Sequence, residues 1–328
     1  MAGAGCMARH AGAGSNPSTT VIPGAGAPPG PVEVALTIDD LPRHGAQIPG
    51  KEPRVVAAAL LSAFARHHIP QVYGFINAGN PQVRPEDHQV LRAWVSAGHP
   101  LGNHTWAHLD LEKVPVAEFI ADIDRNEATL AELAGLPSSP AHPPAPLGWK
   151  VFRYPYLREG ADPATRDAVR AHLAAHGYRI AQVTIDPWDW YYNEAYVRCL
   201  ASGAAAVRAT VKDAFLTEAR AKLQWSLAAA QAAAGRPLRH ILLLHLGAID
   251  ADTIEDLLTT YESLGVRWIT LEKALADPIY GEPRPGSPGG ELLGEILHAR
   301  GIAAPPPGFR RMSMASLCQP EGRTPGAK

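Results

Sequence analysis

Two aspartates, Asp39 and Asp40, stand side by side at the end of the apolar run VEVALTI, and two histidines four residues apart, His104 and His108, follow the run HPLGN. Arg153 and Tyr156 close WKVFRYP, Asp186, Asp189 and Trp190 follow YRIAQVTI, and His245 lies in HILLLHL. Adjacent carboxylates on an apolar segment are costly unless positive charge sits nearby. A metal ion supplies that charge. One Asp and two His leave coordination positions open for water and substrate, the pattern of a catalytic rather than a closed zinc site. His104 and His108 share one face if a helical turn follows their strand. Neighbouring residues of an extended strand point to opposite sides, which predicts a division of labour: Asp40 as ligand, Asp39 as the base that takes the proton of the attacking water. Arg153 can hold Asp39 ionised and oriented, and His245, oriented by Asp189, can protonate the leaving group. The ion would acidify water and polarise a carbonyl, so the set suits hydrolysis of an amide or ester. Two His and one carboxylate also bind Fe(II) in oxygenases, but the separate acid and base favour hydrolysis.

The elements that must position these residues alternate along the chain. Strand-like runs occupy 32–38, 71–76, 99–104, 149–155, 178–185, 240–246 and 266–271. Helical patterns open at Pro53 and Pro85 and cover about 115–134, 163–176, 206–234 and 252–264, several of them ending at Gly. Seven strands alternating with helices predict a parallel α/β sheet, either closed into a barrel or open and doubly wound. Both architectures place ligands at the carboxyl ends of the strands, where the chemistry-bearing residues collect. A lone HxxxH means little in a chain with 14 histidines. His172 and His176 repeat the spacing in RAHLAAHG, mid-helix and at a helix C-terminus, where a cation suits the dipole. That pair reads as structural.

Composition narrows the partners. The 328 residues carry 30 Lys and Arg against 32 Asp and Glu, a formal charge of −2, which argues against nucleic acid or an anionic membrane surface. Three cysteines, Cys6, Cys199 and Cys318, are too few and odd in number for a disulfide framework. No apolar run reaches membrane-spanning length, and the Gly- and Ala-rich N-terminus lacks the continuous apolar core of a secretory signal, so a soluble chain of open compartment is expected. Residues 1–31 read as a flexible tail, 32–276 as one domain and 277–328 as a Pro/Gly-rich tail holding the helix-like run ELLGEILHAR. The prolines between 137 and 146 mark a long surface loop.

Five segments in order resemble the motifs of the polysaccharide deacetylases, the NodB-homology domain of carbohydrate esterase family 4: TIDD (37–40), HTWAH (104–108), RYPY (153–156), DPWDW (186–190) and ILLLH (241–245). The resemblance covers roughly 32–276 and implies a distorted seven-stranded β/α barrel. It implies Asp39 as base, and Asp40, His104 and His108 as ligands of one divalent ion, usually Zn2+, with Co2+ or Mn2+ able to serve. Arg153 would tether the base, Asp189 would orient the acid His245, and the Tyr156 backbone N–H would serve the oxyanion. Trp190 would wall the acetyl pocket, and Asp186 matches its motif without a firm role. The implied activity is deacetylation of an N-acetylated sugar, a chitooligosaccharide or peptidoglycan-like glycan. An acetylxylan esterase, a small-molecule amidase or a silent carbohydrate-binding domain are the alternatives. The chain departs from the pattern at Ile38, in place of the commoner Phe, at Leu246, where an acidic or amide residue is common, and in a helical insertion at about 193–234. Trp188, Trp190, Tyr191 and Tyr192 cluster at the start of that insertion, and aromatic faces suit sugar rings.

Overall fold

The computed structural model describes Met1 and residues 30–136, 145–282 and 290–319. The N-terminal tail, apart from Met1, Gly30 and Pro31, and most of the Pro-rich loop lie outside the described residues. The strands are β1 (Val32–Leu41), β2 (Tyr73–Ile76), β3 (Leu101–Asn103), β4 (Val151–Phe152), β5 (Arg179–Ile180), β6 (His240–His245) and β7 (Val266–Trp268). Each falls inside one of the seven runs read from sequence or, for β1, extends it by three residues. The helices are α1 (Pro53–Arg66), α2 (His88–Ser96), α3 (Val116–Ala134), α4 (Pro163–Ala175), α5 (Asp189–Ala201), α6 (Ala205–Ala234), α7 (Ala248–Ser263), α8 (Leu271–Leu275) and α9 (Leu292–Ala299). Their ends follow local chemistry. Proline occupies the first helical position of α1 and α4, where a missing N–H costs nothing. The Asp162 carboxylate accepts from the Thr165 N–H to cap α4, and α6 stops at Gly235 in the left-handed conformation.

All strand pairings are parallel, in the order β5-β4-β3-β2-β1-β6, with β7 beside the start of β1. The sheet curls until its edges meet: Ile185, just past β5, bridges Leu242 of β6. The result is the distorted barrel expected from the motifs. Period-two alternation sorts the central strand into two faces. Val34, Leu36 and Ile38 face the helices, packing among Leu60, Phe64 and Leu257. Ala35 points inward among Tyr73, Phe75, Val151 and Ile241, and the α8 residues Leu271, Ala274 and Leu275 belong to the same cluster. Continuing up that inner face, Thr37 and then Asp39 carry the polar part of the interior towards the carboxyl ends.

The insertion between Asp189 and His245 is two helices. α6 packs on α9 through Ala229, Ala230, Ala233, Leu292, Leu293 and Ile296, a small-residue face against a leucine-rich one. The chain beyond α9 runs back along α5. Arg198 donates to the carbonyls of Leu317 and Met314, Trp225 donates to that of Pro305, and Met314 is buried in the main core. Cys199 and Cys318 are joined by a disulfide across 119 residues of sequence. The odd cysteine count thus conceals one staple; the third cysteine, Cys6, lies outside the described residues. No helix of the described residues is long and apolar enough to cross a membrane.

Candidate active site

Six non-glycine residues with left-handed backbone, Asp40, Thr105, His108, Tyr156, Leu157 and Trp188, sit on the loops at the carboxyl ends of the strands. Such conformations cost about 1–3 kcal/mol each and persist only where surrounding bonds over-determine them. The bonds are present. The Asn103 side chain accepts from the Thr105 N–H at 2.9 Å, the Asp122 carboxylate from the Ala107 N–H at 2.8 Å, and the Asp186 carboxylate from the Trp188 N–H at 2.9 Å. The first loop carries His104 and His108. The helical turn expected between them does not form, because Thr105 and His108 are both left-handed; the two rings meet as a tight loop instead, 4.9 Å apart. Asp40 departs from expectation in the same way. The register of β1 shifts between Ile38 and Leu41, and the positive φ at Asp40 breaks the alternation. Both carboxylates therefore turn to one side: His104 Nε2 lies 3.8 Å from Asp39 and 3.6 Å from Asp40.

Neighbours, rather than strand faces, distinguish the two carboxylates. Arg153, 1% exposed, sets Nη1 at 3.2 and 3.3 Å from the two Asp39 oxygens, while Nη2 donates to Thr37 Oγ1 and Nε to the Ala181 carbonyl. Burial nonetheless pushes the Asp39 carboxyl up to about 6, against the pull of Arg153. Burial works against the charge of Asp40 too, but His108 and His44 outweigh it and hold that carboxyl well below the usual range. Asn77 donates to its Oδ1 at 2.8 Å, and His108 Nε2 is 3.3 Å from the same oxygen.

The donor set fits a cation. His104 Nδ1 is 2.8 Å from the Arg153 carbonyl, which can only accept, so the proton sits on Nδ1 and the Nε2 lone pair faces the carboxylates. Burial lowers both His104 and His108 to about 4, leaving them neutral at neutral pH. A His104 lone pair facing carboxylate oxygens is repelled by them unless positive charge lies between. Asp40, His104 and His108 each bring a ligand atom within 4.8 Å of the others, as a three-ligand ion site requires.

His245 is held differently. Asp189, fully buried at the start of α5, takes the His245 backbone N–H at 2.6 Å on one oxygen and ring Nδ1 at 2.8 Å on the other. Leu246 is buried in the core, so the polar support of His245 comes from this two-point contact with Asp189. Burial disfavours charge on His245, but Asp189 outweighs it and lifts the imidazole to about 10. His245 lines a cleft of about 850 Å³ with Asp39, Asp40, His104 and His108 on its floor. Tyr156, 56% exposed, and Trp190, 38% exposed, stand at its mouth beside Trp188, and buried Asp186 lines it as well. All ten residues singled out in the sequence therefore lie in the cleft or directly behind it. His172 and His176 do not; their rings lie 4.0 Å apart, tilted, at the end of α4 and its C-cap, with His172 on Asp124.

The sequence reading passed over several groups. His44 Nδ1 is 2.8 Å from Asp40 Oδ2, and its ring lies 4.6 Å from that of His245. Its spacing of four from Asp40 was the available signal. Lys222 and Trp225 of α6 and Glu291, Phe309 and Arg311 of the C-terminal segment form one wall. Arg311 lies over the Trp188 ring at 3.5 Å and pairs with Glu218. The tail-like composition of that segment gives no hint of this role.

The polysaccharide deacetylase family model matches residues 26–181, just under half of the chain. The match takes in Asp39, Asp40, His104, His108, Arg153 and Tyr156; Asp186, Asp189, Trp190 and His245 fall beyond it. A peptidoglycan-N-acetylglucosamine deacetylase of Bacillus cereus is 24% identical over 153 residues, 47% of this chain and 50% of that protein. The chain thus spans about half the length of the curated relative it matches. Among solved structures, a mutant of a carbohydrate esterase family 4 pseudoenzyme from Bacillus anthracis, with restored enzymatic activity, aligns with TM-score 0.50 at 16% identity, over 75% of this chain and 68% of that one. The chitin deacetylase of Colletotrichum lindemuthianum aligns with TM-score 0.49 at 21% identity, over 76% and 90%.

Proposed function

We propose that the protein is a metal-dependent hydrolase that removes acetyl groups from N-acetylated sugars, of the chitooligosaccharide or peptidoglycan-like kind. The observation that carries this reading is the convergence of the His104 and His108 Nε2 atoms on Asp40 beside a separately tethered base and acid. Asp40, His104 and His108 hold the divalent ion, zinc first among the candidates given two imidazoles and one carboxylate. When bound, the ion supplies Lewis acidity to the acyl oxygen and to the attacking water. Asp39 takes the proton from that water as its oxygen adds to the acyl carbon, and Arg153 keeps the carboxylate aimed at it. The Tyr156 backbone N–H donates to the oxyanion, a preorganised donor for charge that develops late. His245, held protonated by Asp189, gives its proton to the departing amine nitrogen as the C–N bond breaks. Trp190 and Tyr156 offer faces on which a sugar ring can stack, and Asp186 fixes the turn that presents Trp188 and Trp190.

Acetate release tests the reading. The metal-stripped protein, resupplied with Zn2+, Co2+ or Mn2+, is given N-acetylated chitooligosaccharides, acetylated xylan and a small cyclic amide. Metal-dependent acetate from the chitooligosaccharides is the expected result. Release from xylan alone would convert the assignment to an O-acetyl esterase, turnover of the amide alone to an amidase, and silence on all three would remove it.

A further inference from the structure

We propose a second, weaker cation site built from Asp40, His44 and His245, sharing the Asp40 carboxylate with the first and shutting the enzyme down when filled. It rests on the reading that Asp40, His104 and His108 hold the first ion. The two oxygens of Asp40 face different ways: Oδ1 looks towards His104 and His108, Oδ2 towards His44 Nδ1 at 2.8 Å. His245 stands beside His44, ring to ring at 4.6 Å, and its Nδ1 is committed to Asp189. Its Nε2 is therefore the nitrogen left for the cleft, and an ion bound there takes the place of the Nε2 proton, which is released to solvent. One atom each from Asp40, His44 and His245 lie within 4.8 Å of one another, the same closeness as in the first trio. The three donors, one carboxylate oxygen and two imidazole nitrogens, reproduce the chemistry of the first set. Asp189 behind His245 completes a carboxylate–imidazole–metal relay, the arrangement that fixes a ligating ring and raises its basicity.

Two ions bridged by one carboxylate stand about 3.5–4 Å apart, the spacing of two-metal centres. Here the second ion would take the nitrogen that must deliver a proton to the leaving group. An enzyme with both ions in place retains its substrate cleft and loses its acid. The second site binds below the first, because filling it displaces the His44–Asp40 hydrogen bond and places two like charges close together.

Zinc titration of the metal-stripped full-length protein by calorimetry, with an anomalous map at the zinc edge from crystals of the loaded protein, tests the proposal. The expected result is two ions per chain, the second weaker by roughly tenfold or more, with deacetylation falling as the weaker site fills. His44→Gln keeps a donor for Asp40 but removes the imidazole; it should bind one ion and lose the inhibition by excess zinc. A single ion in the unaltered protein, or a second ion that survives His44→Gln or appears at His172 and His176 instead, would overturn the proposal. Binding of no ion at all would overturn the first site, and this one with it.

Discussion

Two HxxxH pairs in one chain, His104 with His108 and His172 with His176, share a spacing and nothing else. The second pair rides on α4 and its C-cap, the rings close and tilted, with His176 Nδ1 on the His172 carbonyl and His172 on Asp124. A regular helix gives it neighbours but no converging third ligand. The first pair follows β3 on a loop bent by two left-handed residues, His104 buried and His108 half-buried, with Asp40 brought across from β1. Spacing along the chain therefore does not make a metal site. A candidate site needs convergence from separate strands, together with burial that keeps the imidazoles neutral and backbone strain held in place by Asn103 and Asp122.

The strongest way to break that comparison is to exchange the consequences. His104→Ala should abolish both ion binding and turnover, measured by metal content after gel filtration, while His172→Ala should keep one ion at the first site. Loss of that ion from the α4 variant would reverse the assignment of the two pairs. Next in size is Asp39→Asn. With the ion retained and the base removed, kcat should fall by roughly 10²–10⁴; unchanged turnover would take Asp39 out of the mechanism.

A smaller effect separates the base from its tether. Burial raises Asp39 to about 6, and a protonated Asp39 cannot act as base, so kcat/KM should climb with pH on a limb at or below 6, since a nearby cation only favours the carboxylate. Activity should fade again at the alkaline end as His245, held up to about 10 by Asp189, loses its proton. Arg153→Lys loosens the planar guanidinium contact with Asp39, Thr37 and the Ala181 carbonyl and should move the acid limb upward by up to about one unit. A limb that stays in place would show that Arg153 packs the barrel interior without setting the state of Asp39.

Much of this was legible before any coordinates. The seven apolar runs contain the seven strands because a buried parallel sheet demands continuous β-branched and aliphatic stretches, and the residues closing those runs are the ones that line the cleft. Backbone conformation was not legible. Nothing in the types of Asp40 or His108 announces a positive φ, so the predicted helical turn and the predicted divergence of Asp39 from Asp40 both failed locally. The C-terminal wall was hidden for a different reason. Proline- and glycine-rich composition reads as loose, yet Met314, Arg311 and Cys318 each find a partner more than 90 residues away, and such distant pairings leave no periodic trace. His240 shows the converse. It shares β6 with His245 and is buried too, but it sits at the opposite end of the strand, where burial lowers it to about 4 against the pull of Asp277 and Nδ1 is 3.3 Å from Thr184 Oγ1. Position along the strand, rather than burial, separates a core histidine from a functional one.

The smallest expected effect lies in the helical pair itself. His172 contributes a hydrogen bond to a half-exposed Asp124, and surface pairs of this kind are worth at most about 1 kcal/mol. His172→Ala should therefore lower thermal stability slightly and leave the metal-dependent rate at its original value across the whole pH range. A change in the shape of the pH–rate profile, with stability unaltered, would mean that α4 communicates with the cleft. The route to look along would then be α3, which carries Asp124 on the surface and Asp122, the residue clamping the His104–His108 loop, two positions earlier.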